Sequence, residues 1–446
     1  MDNNQVYMKD PYFEIGRKLL LILKTGQILM ENAADTNRIT RTMKRVAAFM
    51  GITAEMLHIH ITYTTIMINI SDGNHSITKF QKCIRHGINM SKISAISKLS
   101  WRAIEKDYTL DQYENKLNKI LTLKKQYTSC FIAIGAGLAC GGFCKLFGCD
   151  WLAFFYTAIC ASIGFIIRTY CNKLDINAYA SIAISSFAAT ILAYMTHFIP
   201  GSATPWHPLL ACALFIVPGI PLINSVDDLL DNYIVSGITR AVNTILMVGS
   251  MSFGIVLAIK LCQVKDFTTL STRPDSSYFI YSIAAAIASI GFSTIFNVPR
   301  RLLWVVALGG VISVCTRNFI NFDLNMGLAA GSFAGAMVVS FIAIKAVHYV
   351  HTPMHVITLP SVIPMIPGVF MYRLMFGLIN INDLDTTSLI QVFQSGVIAS
   401  LTILAIAIGV AIPHIFARKY LARRKKKKYM VLLQKRNNTT FDTNLL

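Results

Sequence analysis

From Gln126 almost to the end of the chain, one apolar run follows another, each long enough to cross a bilayer as a helix, which takes about 20 residues. Ten can be read, near 128–147, 151–168, 177–197, 207–223, 238–260, 278–297, 302–316, 324–346, 356–372 and 388–413. Few folds suit such a chain, because backbone polar groups inside hydrocarbon must bond to one another, and a helix achieves this within a single segment. The charge content agrees: 14% of the 446 residues are charged, against about 25% in soluble domains. All five glutamates (Glu14, Glu31, Glu55, Glu105, Glu114) precede residue 115, so the first quarter is a different kind of polypeptide.

Residues 12 to about 124 read as a soluble α+β domain. EIGRKLLLILKTGQILM and NRITRTMKRVAAFMG carry apolar residues at helical spacing, and ENAADT between them resembles a helix end followed by a new N-cap. LHIHITYTTIMINI alternates and is rich in Ile and Thr, as a strand pair would be. ISKLSWRAIEKDYTLDQYENKLNKIL returns to helix, with Thr109 as a candidate N-cap. The opening residues show no basic segment, apolar core and cleavage site of a secretory signal, so the N-terminus is expected in the cytosol. The net charge of +19 owes much to ARKYLARRKKKKYMVLLQKR. Directly after an apolar helix, such a run is expected to sit against anionic lipid on the cytoplasmic face rather than to bind nucleic acid. Most of the ten cysteines lie in apolar runs and none forms a CxxC pair, so neither disulfides nor a thiolate metal site is expected.

The first five apolar runs resemble the last five. Gly142-Phe143 answers Gly291-Phe292, Trp151 and Arg168 answer Trp304 and Arg317, Asn177 answers Asn325, and Ser186-Phe187 answers Ser332-Phe333. Pro218 and Pro221 answer Pro364 and Pro367 at the offset of the Ser-Phe pair. An odd number of helices per repeat inverts the second copy, as in many secondary transporters, and an even total returns both termini to one face. The expected fold class is therefore a membrane all-α domain of about ten transmembrane helices in two inverted five-helix repeats, with an N-terminal cytoplasmic α+β domain. Its expected boundaries are 1–126, 127–262, 263–416 and a basic cytoplasmic tail at 417–446.

Proline lacks a backbone N–H and crowds the preceding turn, so IVPGIPLI and VIPMIPGV should break the fourth and ninth helices. Paired interruptions in two halves are a pointer to a substrate site. After the first comes NSVDDLLDNYIVSGITR, where Asp228 shares a helical face with Asp231, as does Asp227. Carboxylates at such a place serve a proton relay, bind a cation, or merely hydrate a loop. Asn224 and Asp228 are the preferred polar contacts, with Arg240 as a counter-charge.

PGIPLINSVDDLLDNYIVSGITR resembles the signature of the threonine/serine exporter family, in which a PGIPLTNAIRDL-like segment leads into a Gly and an Arg. ILMENAADTNRITRTMKRVAAFMG is similar to that family's N-terminal LLxxGAxTxRVxxTMxxIAxxLG element, and LPSVIPMIPGVFMYR to the PxxPG segment of its second half. The resemblance runs from about residue 12 to 415. It maps onto Ala33, Ala34, Asp35, Thr36 and Arg38, onto Pro218, Gly219, Pro221, Asn224, Asp228, Gly237 and Arg240, and onto Pro360, Pro364, Pro367, Gly368 and Tyr372. Ala33 stands where glycine is usual, Ile223 where threonine is usual and Asp227 where a basic residue is common. The resemblance implies a secondary exporter of small polar amino acids in the cell inner membrane. Split relatives linked to succinate keep small dicarboxylates open as cargo, with Arg168, Arg240, Arg317 and Arg373 as carboxylate partners.

The expected substrate-binding set is Pro218, Gly219, Pro221, Asn224, Arg240, Pro364, Pro367, Gly368 and Tyr372, and the expected proton-coupling set Asp228, Asp227 and Asp231. The expected partners are the solute, a proton gradient and the lipid bilayer, with self-association left open and no cofactor. His348, His351 and His355 are spaced for one helical face, but Pro353 interrupts it and no carboxylate or thiolate is near in sequence, so no metal is expected. No GxSxG, HExxH or GxxxxGK[ST] motif supports an enzymatic or ATP-driven reading. A membrane-anchored enzyme or sensor acting through the N-terminal domain is the rival outside the transporter class.

Overall fold

A computed structural model describes residues 11–440 except 54, 72–74, 85, 265–276 and 351. His351 and the last six residues of the basic tail therefore lie outside the described residues. The chain begins with helices α1 (Pro11–Met30) and α2 (Thr36–Phe49), which pack together. An antiparallel sheet follows, in the order β1 (Leu57–Ile61), β2 (Thr65–Ser71), β3 (Ser76–Lys82). Its register sets Ile61 opposite Ile66, Ile59 opposite Ile68 and Leu57 opposite Ile70. Ile66, Ile68 and Ile70 are buried against the helices, whereas His58 and His60 are exposed on the opposite face.

Helix α3 (Met90–Glu105) and helix α4 (Leu110–Leu121) complete this unit. Thr109 caps α4 in a reciprocal box with Gln112, the N-cap that the sequence predicts. Inside, Tyr113 is fully buried with its hydroxyl 2.8 Å from Thr25 Oγ1.

Three long helices come next: α5 (Ser129–Leu146), α6 (Trp151–Lys173) and α7 (Ala178–Met195). A short helix α8 (His207–Ala211) and a 3-10 turn (Leu214–Ile216) lead to α9 (Gly219–Leu230), and α10 (Ile234–Leu261) closes the first half. The second half runs through α11 (Tyr278–Ile295), α12 (Leu303–Asn318) and α13 (Leu328–Val350). Then α14 (Met354–Val362) and a 3-10 turn (Ile363–Met365) lead to α15 (Gly368–Ile379), and α16 (Thr386–Thr440) follows. Among the described residues eight helices are long and apolar enough to cross a membrane, and ten segments are if each bent pair counts as one. The pairs are 207–230, bent by 58°, and 354–379, bent by 57°. Both outrun the predicted apolar runs, which stop at 223 and 372: α9 continues through the polar Asn224, Ser225, Asp227 and Asp228, and α15 through Arg373 into an apolar last stretch.

The outer faces of these helices carry exposed apolar side chains, such as Phe155, Ile159, Leu246, Phe279 and Leu401, as a lipid-facing surface requires. Inside, α5 and α11 approach through small residues. A Cβ on Gly142 would lie 2.8 Å from Ala284 O, and one on Gly291 would lie 2.5 Å from Gly135 O. Phe143 and Phe292 meet edge to face, with centroids 5.7 Å apart.

Asp150 caps α6 and organises the loop beyond α7. Burial opposes its ionisation, but Ala153 N (2.7 Å), Ala203 N (2.6 Å) and the Ser202 and Thr204 hydroxyls outweigh that and hold the carboxyl below its usual range. A depressed folded value means stability that is present above the ordinary carboxylate pKa of about 4 and lost as pH falls through the folded value. Thermal midpoints of the wild type should accordingly fall on acidification below about pH 4, and Asp150→Asn should flatten that limb. An unchanged slope in the variant would count against this cap.

Candidate functional site

The two bends are alike atom by atom. Pro218 starts α9 with φ −80° and ψ 60°, and Pro367 starts α15 with φ −80° and ψ 57°. Gly219 N donates to Val217 O at 2.8 Å, and Gly368 N donates to Ile366 O at 2.8 Å. Conformation thus pairs Pro218-Gly219 with Pro367-Gly368, which corrects by three residues the register that sets Pro218 against Pro364. The conformational register is the offset that relates Phe143 to Phe292 and Arg168 to Arg317. Pro221 lies in the first turn of α9, where its missing N–H would have had no helical partner, and Pro364 lies in the 3-10 turn before the second break. Neither makes the bend.

The bends pack on each other. Gly219 sits against Ile363 and Ile366, and Gly368 against Leu214 and Val217. Tyr372 is buried, and its hydroxyl donates to Leu210 O at 3.1 Å, capping a carbonyl of the opposite half. Gly219, Gly368 and Tyr372 therefore meet the opposite half, and Pro218 and Pro367 make the corners that bring the glycines there.

The polar residues gather elsewhere, under the turn between α1 and α2. Asp228 accepts from Thr36 N and Thr36 Oγ1, both at 2.8 Å, and its Oδ2 lies 2.9 Å from Arg240 Nε. All three side chains are buried. The carboxylate meets the first N–H of α2, where the helix carries partial positive charge. Arg240 also donates to Ala34 O at 3.0 Å, and Asn224 Nδ2 donates to Ala33 O at 2.9 Å. Three side chains from α9 and α10 thus hold one turn of the N-terminal unit. Asp231 ends α9 and accepts from Asn37, while Asp227 is buried on the same helix.

Two further residues complete the group. Asp35, the N-cap of α2, accepts from Arg38 N (2.7 Å) and Arg38 Nε (2.9 Å), and its Oδ2 is 4.0 Å from His355 Nε2. His355 stands at the start of α14; only the fold brings it here, since no local pattern in the sequence tied it to Asp35. A small enclosed cavity of about 10 Å³ lies among Asp35, Arg38, Asn224 and His355, the space of about one water molecule. Nearby, Arg240 lies over the Tyr63 ring, which stacks on His86 at 4.1 Å. Burial, and then the Arg240 charge, lower the His86 pKa, which keeps that imidazole neutral at pH 7.

Ala33 has φ 67°, in the left-handed region that glycine enters without strain. This gives a physical reason for glycine at that place in the resembling element. Ala33→Gly should relieve about 1 kcal/mol of strain, visible as a higher thermal midpoint. A lower midpoint would show that the chain entropy of glycine outweighs the relief.

Residues 20–262 match a family model described as "Putative threonine/serine exporter", and residues 281–416 match a second, "Threonine/Serine exporter, ThrE". A probable threonine/serine exporter of Mycobacterium tuberculosis is 19% identical over 412 residues, covering 90% of this chain and 77% of that protein. A probable succinate transporter subunit of Escherichia coli is 24% identical over 248 residues, covering 55% of this chain and 95% of that protein. A Haemophilus influenzae protein described as uncharacterized is 19% identical over 393 residues, covering 88% and 92%. No solved structure matches this chain.

Proposed function

Since the chain belongs to the threonine/serine exporter family, whose members are membrane exporters and not enzymes, we propose that it is a secondary exporter of small polar amino acids working through two inverted repeats. The observation that carries this reading is the pair of matched breaks, bent by 58° and 57°, whose proline-glycine corners pack on one another. Backbone N–H and C=O groups at such corners become available to a solute when the halves part. The reciprocal packing of Gly142 and Gly291 and the contact of Phe143 with Phe292 further support an axis between the halves.

The N-terminal unit lies on the face where α9 ends and α10 begins, where α11 turns into α12, and where α14 starts. The lysines before α5 and the basic run near the C-terminus support a cytoplasmic assignment for that face, with both termini on it, in the inner membrane. Protonation of Asp228 would remove the charge that Arg240 and the start of α2 hold, which links proton uptake to release of the turn. The alternative cargo, a small dicarboxylate, draws support from the Escherichia coli relative described as a succinate transporter subunit.

Counterflow into proteoliposomes, loaded in turn with unlabelled threonine, serine or succinate, separates the readings. Accumulation of labelled threonine, accelerated by an imposed proton gradient, is the expected result. Accumulation of succinate alone would replace the amino acid with a dicarboxylate, and accumulation of none of the three would defeat both.

A further inference from the structure

Two arginines stand inside apolar helices without an acidic partner. Arg168 lies on α6 and Arg317 on α12, at the offset that relates the two halves. Ser181 Oγ donates to the Arg168 carbonyl at 3.4 Å, but the Arg168 guanidinium has no partner among the described residues. Arg317 Nε donates to Asn318 Oδ1 at 3.0 Å, which leaves both of its Nη groups unpaired there. No Asp or Glu occurs in α6, α7, α12 or α13. A guanidinium keeps its charge in a protein, and a charge on a membrane helix faces the interior or a watery cavity and marks a solute path.

Both arginines are on the inward side of their helices. At 3.6 residues per turn, Arg168 falls about 180° round α6 from the exposed Phe155, Ile159, Ile163, Ile166 and Tyr170. Arg317 likewise falls about 180° round α12 from the exposed Trp304 and Leu308. These inward sides lead to the breaks. Gly164, one turn before Arg168, packs on Phe215 in the 3-10 turn ahead of Pro218. Ser313, one turn before Arg317, donates to Ser361 O at 2.8 Å, just ahead of the 3-10 turn of the second break. Each guanidinium thus stands about one helical turn beyond the contact with a break. Both residues are half-buried, so they border accessible space.

We propose that Arg168 and Arg317 are two equivalent stations for the carboxylate of the transported solute, an inference that rests on the exporter and inverted-repeat reading above. A guanidinium with free N–H groups receives a carboxylate through two parallel bonds. Inversion sets the stations at opposite depths, Arg168 on the cytoplasmic side of the first break and Arg317 on the outer side of the second. The first takes the carboxylate as the solute enters, and the second as it leaves. Threonine, serine and succinate all carry this group, so the stations recognise the class and leave the choice within it to other contacts.

The test uses membrane vesicles that contain the full-length protein, from cells lacking other carriers of these solutes. Inside-out vesicles report the cytoplasmic side and right-side-out vesicles the outer side. Uptake of labelled threonine, or of labelled succinate if the wild type carries that instead, is competed by the parent acid and by its amide, threoninamide or succinamide. The wild type should need at least about tenfold more amide than acid for half-inhibition on either side, as expected for lost bonds between charged groups. Arg168→Gln should bring acid and amide near parity in inside-out vesicles and keep the wild-type ratio in right-side-out ones. Arg317→Gln should do the reverse. Arg168→Lys and Arg317→Lys, which keep the charge and lose the fork, should give intermediate ratios and serve where a glutamine variant carries too little solute to read. The ratio does not depend on how much protein is folded, so a merely unstable variant keeps the wild-type ratio and overturns its station. Ratios that fall on both sides in one variant overturn the assignment of one station to each side. Loss of stabilisation by anionic lipid with unchanged ratios assigns the arginines to lipid phosphate and overturns the proposal. Equal competition by acid and amide in the wild type overturns it while leaving export standing. Transport of neither solute overturns the export reading, and the stations with it.

Discussion

Alanine in place of Asp228 is expected to lower the stability of the folded protein by about 3–5 kcal/mol, the range for removing one member of a buried ion pair. The cost arises less from lost attraction than from what is left behind. Arg240 would keep its charge at 2% exposure with Ala34 O as a remaining acceptor, and Thr36 would lose a partner for both its N–H and its hydroxyl. The companion result is as important. Replacing both members, as in Asp228→Leu with Arg240→Met, should recover most of the loss, because two well-packed apolar side chains avoid the desolvation of either charge. Thermal unfolding in detergent of the two singles and the double gives the coupling. Strict additivity would show that the two side chains do not act as a pair. The same geometry governs how transport data on Asp228→Asn must be read. A lost response to the proton gradient speaks for coupling only when the variant unfolds at the wild-type midpoint.

Valine at Gly291 is the second large effect. A Cβ there would lie 2.5 Å from Ala139 N and from Gly135 O, both backbone atoms that no rotamer change can move. Overpacking of a core costs about 1–3 kcal/mol, and more where nothing can yield, so the variant belongs at the upper end. Helices α5 and α11 would have to separate, and with them the contact between Phe143 and Phe292. Gly249 is the control, since a Cβ on it meets nothing within 4 Å. Gly249→Ala should be neutral or gain up to about 1 kcal/mol from helix propensity. Monodispersity on gel filtration and the thermal midpoint decide the matter. A Gly291→Val protein that matched Gly249→Ala in both would refute the close approach of the two halves.

Local chemistry explains what could be read beforehand. A span announces itself by length and apolarity, an N-cap by Thr109, and a break by proline, so these positions were legible. Strand β3 was not, because its side chains alternate between exposed and half-buried and SITKFQK has no apolar face. The continuation of α9 past residue 223 was only half legible, since Asn224, Asp227 and Asp228 suit a helical face or a loop until Ala33 is seen to hold Asn224, and Thr36 and Arg240 to hold Asp228. Those partners are distant in the chain, and no window of sequence contains both Asp228 and Thr36. The PxxP motif misled in a narrower way. Its spacing points to two prolines per break, whereas the corner is made by the proline-glycine step alone, and aligning the halves on that step gives the register of the fold. Asp35 is the N-cap of α2, and its neighbour Thr36 joins it to Asp228.

The N-terminal unit grips both halves by different means. To the first half it presents the α1–α2 turn, held by Asn224, Asp228 and Arg240. To the second it presents the start of α3, where Met90 N and Ser91 N donate to Phe296 O and Asn297 O, with Tyr127 adding a bond to Val298 O. The first grip depends on ionisable side chains and the second largely on main chain. Under the proposed function, rocking of one half against the other would break one of them, and the charge-based grip is the one that a proton would undo. In that proposal the unit would act as a yoke, pivoting at residues 296–298 and releasing at residues 33–36.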